Sequence, residues 1–200
     1  MTKPKRTRLQ PLERRAQLVA CAVSAFAEHG VARATHSHVA ERAGISVSAV
    51  HSYFRTREDL VEAVLDEVEA SLLEMVLGSL GGEGTARDCL MALATQFTRA
   101  ARVDPDMIKV WLDWSTGVRA DLWPRYVKLN DRFNAAAEKL LARGKREGEV
   151  AEKLNVKAAA RLYIGNGHTI ALMQFADVSK CEVDLVNEHV VASAMGFGQA

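Results

Sequence analysis

The sequence predicts an all-α protein, a three-helix N-terminal head followed by a six-helix body. Three observations lead there. Apolar residues recur at three- and four-residue spacing along most of the 200-residue chain, prolines number only four, and few runs alternate with the two-residue rhythm of a strand. Hydrophobic residues make up 48% and charged residues 26%, the balance of a chain that buries a core. The head with its preceding arm is expected over residues 1–56 and the body over residues 57–200.

The first helix is expected at about residues 12–29, with Ala16, Val19, Ala20, Val23, Phe26 and Ala27 as one apolar stripe. Gly30 then stands where a left-handed cap would end it. Thr35 is placed to cap a short helix of about residues 36–43, stopped at Gly44, and Ser46 to cap a third of about residues 47–54. In that third helix Val47, Val50 and Phe54 are expected inward, leaving Ser48, Ala49, His51 and Ser52 outward. Thr56 and Asp59, three apart, resemble a capping box and open a fourth helix through Leu80. "GGEG" at 81–84 is the clearest break in the chain. Beyond it helices are expected at about 86–103, 107–116, 124–146, 155–176 and 182–195, with Pro105 and Pro124 marking boundaries.

Charge separates the two regions more sharply than the net value of +1 implies. Residues 1–60 hold ten Lys/Arg against five Asp/Glu, while the other 140 hold sixteen against twenty. A head at +5 beside a body at −4 is the footprint of a surface that meets a polyanion. The spacing helix, four-residue turn with glycine, helix is a helix-turn-helix signature. The third helix, "SVSAVHS", is free of acids and long cations but lies between Arg42 and the pair Arg55 and Arg57. Small side chains let a backbone approach base edges in a major groove, and flanking cations meet the phosphate walls. Duplex DNA is therefore the expected partner.

At these residues "THSHVAERAGISVSAVHSYFRTREDL" resembles the helix-turn-helix of TetR-family transcription regulators, with Thr35, Ala40, Ala43, Gly44, Ser46, Tyr53, Phe54 and Leu60 at matching places. Ser48 stands where the family has glycine and His51 where it has an aromatic residue. "RTRL" at 6–9, "YFRTREDLV" at 53–61 and "IKVWLDWSTGVRADLWP" at 108–124 look like the LuxR/HapR/SmcR subgroup of quorum-sensing regulators. That resemblance implies a homodimer, a near-palindromic operator and an arginine arm that reaches DNA, which maps onto Arg6 and Arg8. The arm itself, "KPKRTRLQP", is basic and without an apolar stripe, suited to an A·T-rich minor groove. The expected DNA-binding set is Arg6, Arg8, Thr35, Ser46, Ser48, Ala49, His51, Ser52, Tyr53 and Arg55, with Tyr53 and Arg55 on the backbone.

A small apolar ligand in the body is the second expected partner. Phe97, Met107, Trp111, Trp114 and Phe133 concentrate aromatic and thioether surface, with Asn130 and Asn134 as polar contacts. Asn166 joins them because the subgroup's pocket cysteine falls near it. Dimerisation is expected through the last two helices, with Gly165, Gly167 and Ala171 permitting close approach and Val186, Val190 and Met195 adding apolar surface.

Other classes find little support. His36 and His38, two apart on a short helix, point to different sides and make no metal site. No P-loop, dinucleotide fingerprint or nucleophile elbow occurs, so neither an enzyme nor a cofactor is expected. Cys21, Cys89 and Cys181 lie far apart in no paired pattern and are expected as reduced thiols in a soluble cytoplasmic protein. No stretch is apolar enough to span a membrane. Two alternatives stay open: a global regulator without a dedicated inducer, and, from another class, a helical small-molecule carrier or enzyme.

Overall fold

A computed structural model of the chain describes residues 11–118 and 121–196, and the residues so described form nine helices and no strand. They are α1 (Pro11–His29), α2 (His36–Ala43), α3 (Val47–His51), α4 (Arg57–Leu80), α5 (Ala86–Val103), α6 (Pro105–Thr116), α7 (Trp123–Arg146), α8 (Val156–Phe175) and α9 (Lys180–Ala194). Two compact units result, residues 1–68 and 69–200, the division falling inside α4.

Local chemistry sets most of the boundaries. Gly30 and Gly44 adopt left-handed φ values of 82° and 62°, and the Gly44 N–H reaches back to the carbonyls of Ala40 and Glu41. At the head of α4 the Thr56 N–H donates to Asp59 Oδ2 and the Asp59 N–H to Thr56 Oγ1, both at 3.0 Å. Thr85 and Asp88 repeat this reciprocal arrangement at the head of α5, straight after the glycine-rich break. Pro105 opens α6, and Pro124 lies in the first turn of α7.

In the first unit Leu18, Val19, Ala22, Ala25 and Phe26 of α1 are buried with Val39 of α2, Val50 of α3 and Phe54. The buried stripe of α1 is not the one its alanines suggest, since Ala16 and Ala20 are exposed. A helix rich in Ala and Val offers several faces of similar hydrophobicity. The bulk of Leu18 and Phe26 selects among them.

The third helix is also shorter than expected, ending at His51. The N–H groups of Tyr53 and Phe54 both turn back to the Val50 carbonyl, so Phe54 enters the core from a turn. Val47 points outward at 39% exposure, where an inward position was expected. It lies about 60° round the helix from Val50, on the open first turn, and Val50 and Phe54 already fill the packing site.

In the second unit α8 packs on α5, α7 and α9. Buried Leu90, Ile108, Leu129, Leu141, Tyr163 and Ile170 form its core. Arg125 of α7 donates from Nε and Nη2 to Glu69 Oε2, at 3.0 and 2.9 Å. All three cysteines are free. Among the described residues no helix is long and apolar enough to cross a membrane.

Candidate nucleic-acid interface and a cavity in the second unit

The left-handed turn at Gly44 lets α3 leave α2 at once, and Ser46 fixes its start by accepting the Ala49 N–H at 3.2 Å. Ser48, His51 and Ser52 are exposed, Ala49 is half-exposed, and together they form the outer face. The serine hydroxyls are already engaged. Ser46 Oγ and Ser48 Oγ lie 3.0 Å apart in one hydrogen bond, and Ser52 Oγ donates to the Ala49 carbonyl at 2.7 Å.

Four histidines brace this turn in two stacks. His36 is buried, its Nε2–H donates to the Phe54 carbonyl at 2.8 Å, and its ring lies on His51 with centroids 4.0 Å apart. His38 faces the other way, accepts the Thr35 N–H at Nδ1 (3.3 Å) and stacks on His29 at 3.8 Å. The two α2 histidines do point to different sides. No group of three metal-ligating side chains occurs among the described residues.

Only one of the three arginines beside α3 is free. Arg42 pairs with Glu28, and Arg57 donates to the carbonyls of Val31 and Ala34, tying down the loop between α1 and α2. Arg55 is exposed and, among the described residues, makes no hydrogen bond or ion pair. Tyr53 and Thr35 are half-buried. Arg6 and Arg8 lie outside the described residues.

The second unit holds a cavity of about 60 Å³ lined by α4, α5, α6, α7, α8 and α9. Of the residues expected there, Phe97, Trp111, Phe133 and Asn166 line it; Met107, Trp114, Asn130 and Asn134 do not. Trp114 is turned away, its Nε1–H donating to the Leu122 carbonyl at 3.1 Å, with Arg125 over its ring. Asn134 donates from Nδ2 to the Asn130 carbonyl at 2.8 Å, within its own helix.

Sequence reasoning missed Leu72, Val76, Leu93, Tyr163, Gly167, Ile170, Asn187 and Val190 on the wall. The spacing of Tyr163, Gly167 and Ile170 on α8 was the available signal. Gly167 faces Phe97 and Trp111 across the cavity, so it does not serve close helix approach outside. Ala171 and Met195 are likewise buried within the unit rather than on an outer face.

The cavity wall carries no charged side chain. Two of its buried polar atoms lack partners, Trp111 Nε1 and Asn187 Oδ1, while Asn187 Nδ2 donates to Thr98 Oγ1 at 3.1 Å. Behind Trp111 stands His168, ring centroids 4.4 Å apart. Its Nε2–H donates to Ser115 Oγ at 2.9 Å, because the serine proton goes to the Leu112 carbonyl. Burial holds the His168 imidazole below its ordinary range.

Comparison with known proteins gives a consistent answer. Residues 18–64 match the family described as bacterial regulatory proteins, tetR family. The HTH-type transcriptional regulator LuxR of Vibrio harveyi is 32% identical over 187 residues, covering 94% of this chain and 90% of that protein. The fold is similar to FadR of Bacillus subtilis, solved with stearoyl-CoA, at TM-score 0.74 and 20% identity over 92% of this chain and 99% of that one. It is also similar to a cysteine mutant of CifR solved with a 26-bp double-strand operator DNA, at TM-score 0.76 and 15% identity, covering 96% and 99%.

Proposed function

The chain belongs to the TetR family and is a DNA-binding transcription regulator rather than an enzyme, and from that premise we propose that it acts as a homodimer on a near-palindromic operator. The observation that carries this reading is α3 itself, an acid-free outer face set beside the unpaired Arg55. Ser48, Ala49, His51 and Ser52 meet base edges, while Thr35, Ser46, Tyr53 and Arg55 meet the sugar-phosphate backbone. Arg6 and Arg8 follow the adjacent minor groove. Operator binding implies action in the cytoplasm.

Two copies join through the exposed apolar stripe of α8 and the neighbouring face of α9. Leu162, Gly165, Thr169 and Leu172 recur at helical spacing and are all exposed, as are Leu185 and His189. An isologous pairing of α8 and α9 makes a four-helix bundle and presents two α3 helices to two half-sites.

An uncharged ligand in the cavity modulates the regulator. Trp111 Nε1–H offers a donor and Asn187 a second polar contact within apolar walls, suited to a small molecule carrying one or two polar atoms. About 60 Å³ is far less than an acyl chain like that of the FadR ligand requires. That small volume favours a second reading, a regulator that activates and represses with no dedicated inducer. Thermal shifts across a panel of small neutral compounds separate the two, because a bound ligand raises the melting temperature.

The test of DNA binding is affinity for genomic duplex fragments as a function of salt. We expect a linear fall of log affinity with log salt, and Arg55→Ala should flatten the slope by about two charges, one from each protomer, on all sequences alike. Salt-independent or absent binding would remove the reading.

A further inference from the structure

We propose that the reading helix recognises thymine through its C5 methyl group, with Val47 as the residue that makes the contact. The inference rests on α3 as the reading helix and adds what it reads. A side chain on a reading helix can select a base by a hydrogen bond to its edge or by an apolar contact, and thymine alone presents a methyl group in the major groove. The structure weakens the first route at α3. Ser52 has spent its proton on the Ala49 carbonyl, and Ser46 and Ser48 share one of their two protons in a bond with each other. Ser46 also spends acceptor capacity on the Ala49 N–H. The imidazole of His51 is stacked on His36, which fixes its ring plane and leaves its in-plane nitrogens available.

The second route is open. Val47 leaves the core and exposes a branched apolar side chain on the first turn of α3, the part of a reading helix that reaches base edges. Ala49, half-exposed on the following positions, adds a methyl group of its own. A lone exposed valine on a surface needs no explanation by itself. This one stands on a face whose hydroxyl protons are mostly committed, beside an unpaired arginine suited to phosphate. A methyl-bearing base edge held between phosphate walls is the occupant that matches both features.

The experiment selects duplexes for the full-length protein from two random pools, one copied with dTTP and one with dUTP. The best dTTP-derived duplex is then remade with single thymine-to-uracil replacements, which remove only the methyl group. At one position in each half-site uracil should weaken binding about fourfold, the worth of one buried methyl group. Val47→Ala should bind the thymine and uracil versions alike, and Val47→Thr, which keeps one methyl, should retain part of the difference. Val47 is exposed at a helix start, so neither substitution empties the core. Uniform tolerance of uracil by the unaltered protein would overturn the proposal, as would a thymine preference undiminished in Val47→Ala. Failure of both pools to enrich would remove the reading-helix assignment together with it.

Discussion

His168 shows how one side chain ties the cavity wall to solution conditions. Its ring is partly buried against Trp111, and Ser115 accepts its Nε2 proton. Burial lowers its affinity for protons, whereas in the unfolded chain an imidazole titrates at about 6.5. Just below that range the unfolded chain holds more protons than the folded one, so stability rises with pH there and is lost as the solution is acidified. Melting temperature followed from pH 7.5 to 5.5 should fall, and His168→Gln should give a flatter profile across that interval. An unaltered profile would mean that His168 does not carry the linkage. Arg57 teaches a different lesson at the same scale. By position it is a candidate for phosphate, yet its guanidinium is spent on the carbonyls of Val31 and Ala34, whereas Arg55 makes no hydrogen bond or ion pair among the described residues.

Among the elements, α8 has the most divided task. Its inner face carries Tyr163, Gly167 and Ile170 to the cavity, and burial pushes the Tyr163 phenol well above its ordinary range, keeping it neutral. Its outer face carries Leu162, Gly165, Thr169 and Leu172. Gly167 is the point where the inner face can be probed without breaking it. A methyl group there would stand 3.6 Å from Trp111 Cη2 and 3.7 Å from Phe97 Cζ, ordinary contact distances. Gly167→Ala also removes the conformational cost of glycine inside a helix, so we expect a gain of about 0.5–1 kcal/mol and a melting temperature higher by about 1–4 °C. The same methyl narrows the cavity, and any neutral compound that stabilises the unaltered protein should lose its effect. A lower melting temperature would show that the wall has no room to accept the methyl.

For the molecule as a whole, the exposed leucines of α8 and α9 are the feature a monomer leaves unexplained. Leu162, Leu172 and Leu185 are 77%, 58% and 59% exposed, and burying them against a second copy is the proposed use. Leu172→Arg leaves the core untouched and should convert the dimer to monomer in light scattering at micromolar concentration. Operator binding should fall with it, since one copy offers half the contacts. A Leu172→Arg protein that remained dimeric would move the interface elsewhere, and a monomeric unaltered protein would end the proposal.

The chain alone determined the class of fold, the number of helices among the described residues and nearly all of their ends. Those features rest on interactions within about four residues, such as Ser46 with Ala49, Thr56 with Asp59 and the left-handed turns at Gly30 and Gly44. The helix-turn-helix was legible for the same reason. What faces what was decided by tertiary structure. Val47, Ala16 and Ala20 turned outward, Ala171 and Met195 lie inside the second unit, and Trp114 and Asn134 turned from the cavity that Leu72 and Asn187 line. Helices rich in alanine, valine and leucine present several apolar faces of nearly equal merit, and only the neighbours brought against them by distant parts of the chain choose one.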